Sequence, residues 1–430
     1  MSEQTEERGA PEISQSRRRV VVALAALTAS FLAFYGIRSA LAMHYSGLGT
    51  LDGYQKATQL EPGNALNWYA LGRYWQFNIE TPDLNRAVNA YHKALALNPR
   101  FAEVWLDLAS ADESENDINA ARTEFLQAKR VYPASADVSW RYGNFLLRQN
   151  EKMMGFREIH RAVEADPTRG LEAFLVCRHV DPDLNLMLDL VLPPVTSIYL
   201  DVIWQLTDER KSDQVLSVWS KLIALQPKLS TREVFFFVDG LLANRRTSEA
   251  QTVWRQAAAL MDLPKLGDPP GSLIWDGGFE TDATGGGLAW RIQPSRNIMI
   301  SYDRKVKHSG TRALRIDFSA RENSDFAGVC QRVVIEPKAT YELSAWLRTR
   351  EIARERGIFF KLAESGIPWK QYAITPELTG TNEWTKVSTR WVSPDHSGLA
   401  EVCLSRLSGP ELSKVSTTAW VDDVSLLKLE

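Results

Sequence analysis

The sequence predicts a multidomain chain, α-helical first and β-structured last, with one transmembrane helix, an α-solenoid of paired helices and a C-terminal β-sandwich. Three observations support this prediction. An uncharged apolar run lies near the N-terminus, three prolines stand 34 residues apart, and the apolar periodicity changes from 3.6 to 2 in the last third. We expect the following domains: 1–19 cytoplasmic tail, 20–42 transmembrane signal anchor, 43–262 helical repeats, 263–273 linker and 274–430 β-sandwich.

The apolar run covers residues 20–37 and follows Arg17, Arg18 and Arg19. Its length suits a membrane-spanning helix, and basic residues before it place the N-terminus in the cytoplasm. We therefore expect a single-pass protein of a bacterial inner membrane, with the bulk of the chain in the periplasm or beyond. The small-residue pattern at residues 40–42 resembles a cleavage site, so removal as a signal peptide stays an alternative.

The repeats follow from Pro99, Pro133 and Pro167, which end successive segments of 34 residues. The segment between the first two carries Trp105, Leu108, Ala121, Phe125 and Ala128. This pattern resembles the tetratricopeptide repeat (TPR), a pair of antiparallel helices that buries its apolar face only by stacking on its neighbours. We expect about six helical pairs, two of them irregular.

A stacked array of this kind implies a concave groove that holds a protein partner. Residues of the first helix in each pair would line it. The groove candidates are Tyr69, Arg73, Glu113, Trp140, Asn144 and Arg148. Ordinary solvated surface is the alternative for each of them.

The last third alternates apolar and polar residues in short runs, which is typical of strands in a sandwich. Its motifs IWDGGFE, HSGTRALRI, YELSAWLRT and WVDDVSLLKLE resemble carbohydrate-binding-module jelly rolls of the galactose-binding-like class. The resemblance covers residues 274–430 and describes the fold better than it describes a ligand.

That resemblance implies a structural Ca²⁺ held by Glu280 with Asp422 or Asp423, helped by backbone carbonyls near residues 308–310. Carboxylate and carbonyl oxygens suit this hard cation. Asp422 shares a predicted strand face with Trp420, Val424 and Leu426, so an inward carboxylate is expected. The alternative is a turn aspartate that caps backbone groups. No other cofactor is expected.

A sugar site needs flat aromatic faces beside polar side chains. Trp346 stands on the polar face of its predicted strand with Ser344 and Arg348. The remaining glycan candidates are Trp369, Tyr372 and Trp384. The alternative is that these are covered surface aromatics. Cys330 and Cys403 both fall in predicted strands, and their pairing stays open because sequence cannot fix their distance.

The sequence shows no catalytic motif, because its six histidines are scattered and no nucleophile elbow or metal spacing is present. A net charge of −3 gives no reason to expect a nucleic-acid partner. The whole chain resembles bacterial membrane-anchored tetratricopeptide proteins of exopolysaccharide or cell-envelope assembly. We expect a non-catalytic scaffold that binds a protein in its groove and contacts glycan. The alternatives are an interaction scaffold whose sandwich is a structural or protein-binding cap and, least favoured, an exported glycan-active enzyme.

Overall fold

The computed structural model describes residues 15–261, 270–293, 297–319, 325–353, 357–366, 371–396, 398–408 and 416–429. These residues form helices up to Leu260 and two antiparallel sheets afterwards, which confirms the predicted fold class. The chain divides into two compact units, residues 1–191 and 192–430. The predicted linker falls largely on residues 262–269, which lie outside the described residues.

The first helix, α1 (Gln15–Gly47), is long and apolar enough to cross a membrane, and its apolar window is not buried by the rest of the chain. A signal sequence has the same length and composition, so anchoring and orientation stay predictions. The last turns of α1 pack on the second helix. In this contact Ala42 of α1 is fully buried, and the Arg38 side chain of α1 donates to the Leu60 carbonyl of the second helix.

The remaining helices form one leading helix and six pairs, as the repeat pattern predicts. Their bounds are α2 (Leu51–Leu60), α3 (Ala65–Phe77), α4 (Leu84–Leu97), α5 (Ala102–Ser114), α6 (Ile118–Val131), α7 (Ala136–Arg148), α8 (Lys152–Ala165), α9 (Gly170–Val180), α10 (Leu184–Leu190), α11 (Thr196–Asp208), α12 (Ser212–Ala224), α13 (Thr231–Ala243) and α14 (Thr247–Leu260). The pair α9 and α10 is the shortest of the six, and a 3₁₀ turn (Pro167–Arg169) precedes it.

The repeat period is visible in local contacts of the first unit. Asp83 and Asp117 stand 34 residues apart, and each caps the second helix of its pair by accepting a backbone N–H. The indole nitrogens of Trp68 and Trp105 each donate to a proline carbonyl six residues earlier, at 2.9 and 3.0 Å. Gly72 is required by close packing, because a Cβ there would lie 2.5 Å from the ring of Tyr91.

The second unit contains α11 to α14 and the β-sandwich. One sheet has the strand order β1-β4-β9-β6-β7 and the other β2-β3-β10-β5-β8. The strands are β1 (Arg291–Ile292), β2 (Ile298–Asp303), β3 (Ala313–Phe318), β4 (Phe326–Val334), β5 (Thr340–Ile352), β6 (Ile358–Glu364), β7 (Ala373–Ile374), β8 (Gly380–Val392), β9 (Leu399–Arg406) and β10 (Thr417–Lys428). Cys330 and Cys403 face each other on β4 and β9 and form a disulfide, which answers the question that the sequence left open.

The first sheet and the loops beside it pack against α13 and α14. The indole rings of Trp254 and Trp275 meet edge to face at 5.4 Å. The guanidinium of Arg291 on β1 donates to Asp239 of α13 at 2.7 Å. These contacts join the sandwich to the last helices through the sheet that holds β1 and β4.

A β-bulge in β10 corrects the predicted orientation of Asp422. Val421 pairs with Leu347 and Leu426 pairs with Leu343, so β10 carries one extra residue between these two points. The extra residue reverses the alternation of side chains. Val424 and Leu426 point into the core as predicted, but Trp420 and Asp422 lie on the opposite, outer face of the sheet.

Candidate functional site

The outer face of the sheet β2-β3-β10-β5-β8 carries three tryptophans, Trp346, Trp384 and Trp420, and we call it the aromatic face. The strand register places Trp346 opposite Lys386 and Trp420 opposite Arg348. These side chains share one side of the sheet because outward residues alternate with inward ones.

Trp346 and Trp384 lie next to the loop that joins β2 to β3. The imidazole of His308 stacks on the indole of Trp346 with 3.9 Å between ring centroids, and it meets Trp384 edge-on at 5.7 Å. Both tryptophans are half-buried. One face of Trp346 is therefore covered by the imidazole, and the remaining exposed surface of the two indoles is what a ligand can reach.

Trp420 lies deeper in the same face and is only 5% exposed. Its indole nitrogen donates to the Asp303 carboxylate at 3.0 Å. The guanidinium carbons of Arg315, Arg348 and Arg350 stand 5.5, 5.8 and 5.7 Å from its ring centroid. Sequence reasoning missed this cluster, although the spacing of Arg348 and Arg350 two residues apart on one predicted strand gave a signal for it.

Of the other predicted glycan-binding residues, some lie on the aromatic face and some do not. Arg348 lies on the aromatic face and pairs with Glu383 at 3.2 Å. Ser344 shares that face but is buried, with its hydroxyl 2.9 Å from the Ser425 hydroxyl, so it joins two strands.

Tyr372 is half-exposed beside β7 of the other sheet, where the Lys361 ammonium stands 4.8 Å from its ring. The structure therefore does not bring Tyr372 together with the tryptophans. Trp369 lies outside the described residues.

The predicted calcium ligands converge on the same loop. Asp422 is fully buried and accepts the backbone N–H groups of His308, Ser309 and Asp423 at 2.8, 3.1 and 2.9 Å. Asp423 accepts from the His308 ring at 2.6 Å and from the Ser309 hydroxyl at 2.7 Å. Glu280 accepts the Thr311 N–H at 2.8 Å.

Burial raises the pKa of Asp422 to about 6, and the neighbouring Asp423 carboxylate adds to that rise. Oxygen donors and excess negative charge are chemically suited to a hard cation. Each of the three carboxylates is already turned toward hydrogen-bond donors of residues 308–311. The residues thus fit a Ca²⁺ by type, but among the described residues their oxygens do not form a group within 4.8 Å of one another. Binding would require some of these hydrogen bonds to be exchanged for metal contacts, and the calcium site stays a prediction.

Four of the six predicted groove residues line one cavity of about 270 Å³ in the first unit. The Arg148 guanidinium and the Glu113 carboxylate form a bidentate ion pair there, with N···O distances of 2.7 and 2.8 Å. The Asn144 amide donates to the Trp140 carbonyl at 2.9 Å. The lining of this cavity combines two aromatic residues, Phe125 and Trp140, with charged and amide groups, a combination that suits a polypeptide.

The other two groove residues meet at Asp107, which sequence reasoning missed. The Tyr69 hydroxyl donates to this buried carboxylate at 2.9 Å, and Arg73 stands 3.6 Å from it. Arg141 donates to it with two nitrogens at 2.9 Å. Asp107 and Arg141 are 34 residues apart, so the repeat period itself was the signal that could have paired them.

The family model described as "Carbohydrate binding domain" (CBM_4_9) matches residues 271–404. This match confirms that the sandwich resembles carbohydrate-binding modules, and the observed helical pairs confirm the tetratricopeptide-like array. The chain thus consists of a TPR-like helical region followed by a β-sandwich, most of which matches the model of a carbohydrate-binding domain family.

Among curated proteins, the chain is similar to "tRNA(Glu)-specific nuclease WapA" of Bacillus subtilis subsp. natto, with 30% identity over 171 residues. It is also similar to "tRNA nuclease WapA" of Bacillus subtilis, with 29% identity. Each match covers 37% of this chain and 7% of the relative, so the chain spans only a small part of those proteins.

Two similar solved structures each match a part of this chain. "Family 16 Carbohydrate Binding Module-2" is 20% identical, with 36% of this chain and 99% of that chain covered and a TM-score of 0.27. "Crystal structure of YrrB: a TPR protein with an unusual peptide-binding site" is 15% identical, with 50% and 94% covered and a TM-score of 0.26.

Proposed function

We propose that this chain is a non-catalytic, membrane-anchored scaffold of bacterial cell-envelope or exopolysaccharide assembly. Its helical groove holds a protein partner, and its aromatic face contacts a glycan. The observation that supports the glycan role most directly is the placement of Trp346 and Trp384. They lie on the sheet opposite the one that packs against α13 and α14. Within the described part of the second unit, these two helices therefore do not cover the two tryptophans.

The physical basis of the glycan contact is stacking of sugar C–H groups on the exposed parts of the two indoles, with hydroxyls bonded by neighbouring polar groups. An aromatic contact of this kind contributes about 1 kcal/mol beyond the apolar area that it buries. Loss of Trp384 should therefore weaken binding by about tenfold, which corresponds to about 1.4 kcal/mol.

The test is affinity electrophoresis of the detergent-solubilised full chain through gels that contain bacterial polysaccharides. Trp384→Ala is compared with Trp204→Ala, a matched control because Trp204 is a half-exposed tryptophan on α11. We expect retardation by at least one polymer, reduced by Trp384→Ala alone. Equal retardation of both variants, or no retardation by a broad panel, would contradict a glycan site on this face.

Export of the bulk of the chain is part of the proposal. The pair Cys330–Cys403 supports it, because disulfides persist in oxidising compartments such as the periplasm. Thiol labelling of the chain in intact cells, with and without reduction, tests this point. Cys330 and Cys403 should react with the thiol reagent only after reduction. Reaction of these two cysteines without a reductant would place the sandwich in the cytosol.

A second candidate is an interaction scaffold whose sandwich serves only as a structural or protein-binding cap. The covering of Trp346 by His308 and the contact of Trp254 with Trp275 favour it. On this account, no polysaccharide retards the chain, and the cavity at Trp140 carries all the binding.

For the helical region we propose a polypeptide partner at the cavity lined by Trp140 and Arg148. The Arg148–Glu113 pair would position the side chains of that partner. We further propose that Ca²⁺, when bound, neutralises Glu280, Asp422 and Asp423 and fastens the β2–β3 loop to β10.

A further inference from the structure

The ion pairs on the aromatic face leave some basic side chains without an acidic partner, although the carboxylates of Asp303, Asp422 and Asp423 also lie on or beside this face. Three basic residues have acidic partners on the face: Arg315 with Asp317, Arg348 with Glu383, and Arg390 with Glu342. Arg350 and Lys386 have no carboxylate partner among the described residues. Arg350 donates only to the Thr418 hydroxyl, at 3.2 Å, and Lys386 is exposed directly opposite Trp346.

The centre of the face offers guanidinium groups in place of a bare indole. Trp420 is nearly inaccessible because Arg315, Arg348 and Arg350 surround its ring at 5.5–5.8 Å. A guanidinium presents paired N–H groups that match the two oxygens of a carboxylate, and stacking on the ring fixes its orientation. An uncharged sugar can accept hydrogen bonds from a guanidinium, but it lacks the negative charge that strengthens the paired contact.

The β2–β3 loop adds positive charge at the edge of the face. Arg304, Lys305 and Lys307 are exposed, and their side chains have no acidic partner among the described residues. The stacking of His308 on Trp346 holds this loop beside the tryptophans. Basic groups without an acidic partner among the described residues therefore lie in the loop that carries His308, on β8 opposite Trp346 and on β5.

We propose that the glycan recognised at the aromatic face is acidic, with sugars that carry carboxylate groups. This inference rests on the glycan role proposed above. Arg350 and Lys386 bind the carboxylates, while Trp346 and Trp384 contact the sugar rings. Because the cationic groups are exposed, binding weakens as ionic strength rises.

The test compares two polymers with the same sugar backbone, polygalacturonate and its fully methyl-esterified, uncharged form, by affinity electrophoresis of the full chain in detergent. Dextran sulfate serves as a densely charged comparison polymer without carboxylates. The variants are Arg350→Gln and Lys386→Gln, with Lys338→Gln as the matched control. Lys338 is 75% exposed and lies in the turn before β5, away from the aromatic face.

We expect polygalacturonate to bind at least tenfold more tightly than the ester. Each face variant should weaken that binding by about tenfold or more, as expected for one charged hydrogen bond, and Lys338→Gln should not. Equal binding of acid and ester would overturn the acidic specificity and leave the glycan role intact. Stronger binding of dextran sulfate that no face variant reduces would also overturn it. No binding to these or any neutral polymer would refute the proposed glycan function itself.

Discussion

Replacing Asp422 with asparagine should change how the stability of β10 depends on pH. The carboxyl group is buried, and its pKa rises from 3.8 to about 6 in the folded chain. A folded state with a raised carboxyl pKa binds the proton more tightly than the unfolded state does. Its contribution to stability is therefore fully present below about pH 4 and is lost as pH rises through about 6.

The pKa difference for Asp422, from 3.8 to about 6, corresponds to roughly 3 kcal/mol between pH 4 and pH 7. Asparagine does not titrate, so this loss disappears in the variant. The variant also gives up part of the three backbone hydrogen bonds, at about 1 kcal/mol each and independently of pH. The free energy of unfolding of the wild type, minus that of Asp422→Asn, should therefore fall by roughly 3 kcal/mol between pH 4 and pH 7.

Hydrogen exchange, read by mass spectrometry on peptides from β10, measures this difference in metal-free buffer after correction for intrinsic exchange rates. Asp395→Asn is the control, because Asp395 is 65% exposed in a turn. Peptides from α12 report any change elsewhere in the unit. A wild-type to Asp422→Asn difference that stays constant from pH 4 to pH 7 would refute the assigned burial of this carboxylate.

Two further predictions concern the charges of the sandwich and of the repeats. Ca²⁺ at about 100 times its dissociation constant should stabilise the sandwich by about 2.7 kcal/mol, and this stabilisation should be lost in Glu280→Gln. Calorimetry with Ca²⁺ and with a chelator measures the change in stability. An equal stabilisation by Mg²⁺ would contradict a calcium site. Glu124→Gln should stabilise the array by about 1–3 kcal/mol at pH 7, because burial and the nearby Asp112 raise the pKa of Glu124 to about 9. Its stabilising effect should vanish at pH 4, and urea unfolding that shows the same effect at both pH values would refute this reasoning.

The helical repeats could be predicted from the sequence because successive helical pairs contain the same local contacts. The Asp83 and Asp117 caps recur after 34 residues and the indole contacts of Trp68 and Trp105 recur after 37, and each of these contacts is local in the chain. The Asp107–Arg141 contact joins neighbouring pairs, and only the period could have revealed it.

The sandwich was predictable as alternating strands, but its site was only partly so. Alternation from Trp346 predicts the outward position of Lys386, whereas Trp384 lies at a register shift between β5 and β8, and its contact with the His308 ring is what shows that it shares the face of Trp346. The bulge at residues 422–425 breaks that alternation in β10, so the outward positions of Trp420 and Asp422 could not follow from spacing alone. The stacking of His308 on Trp346 arises from a loop whose path depends on Asp422 and Asp423, residues more than 110 positions away.

Hydroxyl-radical footprinting of the full chain tests the central claim most directly, with and without a saturating polysaccharide that retards it in gels. We predict that oxidation of Trp384 and Trp346 falls when the polymer is bound, while oxidation of Trp204 on α11 does not change. Protection of Tyr372 with unchanged oxidation of Trp384 would move the glycan site to the other sheet. Unchanged oxidation of all four residues would contradict a glycan site on the aromatic face.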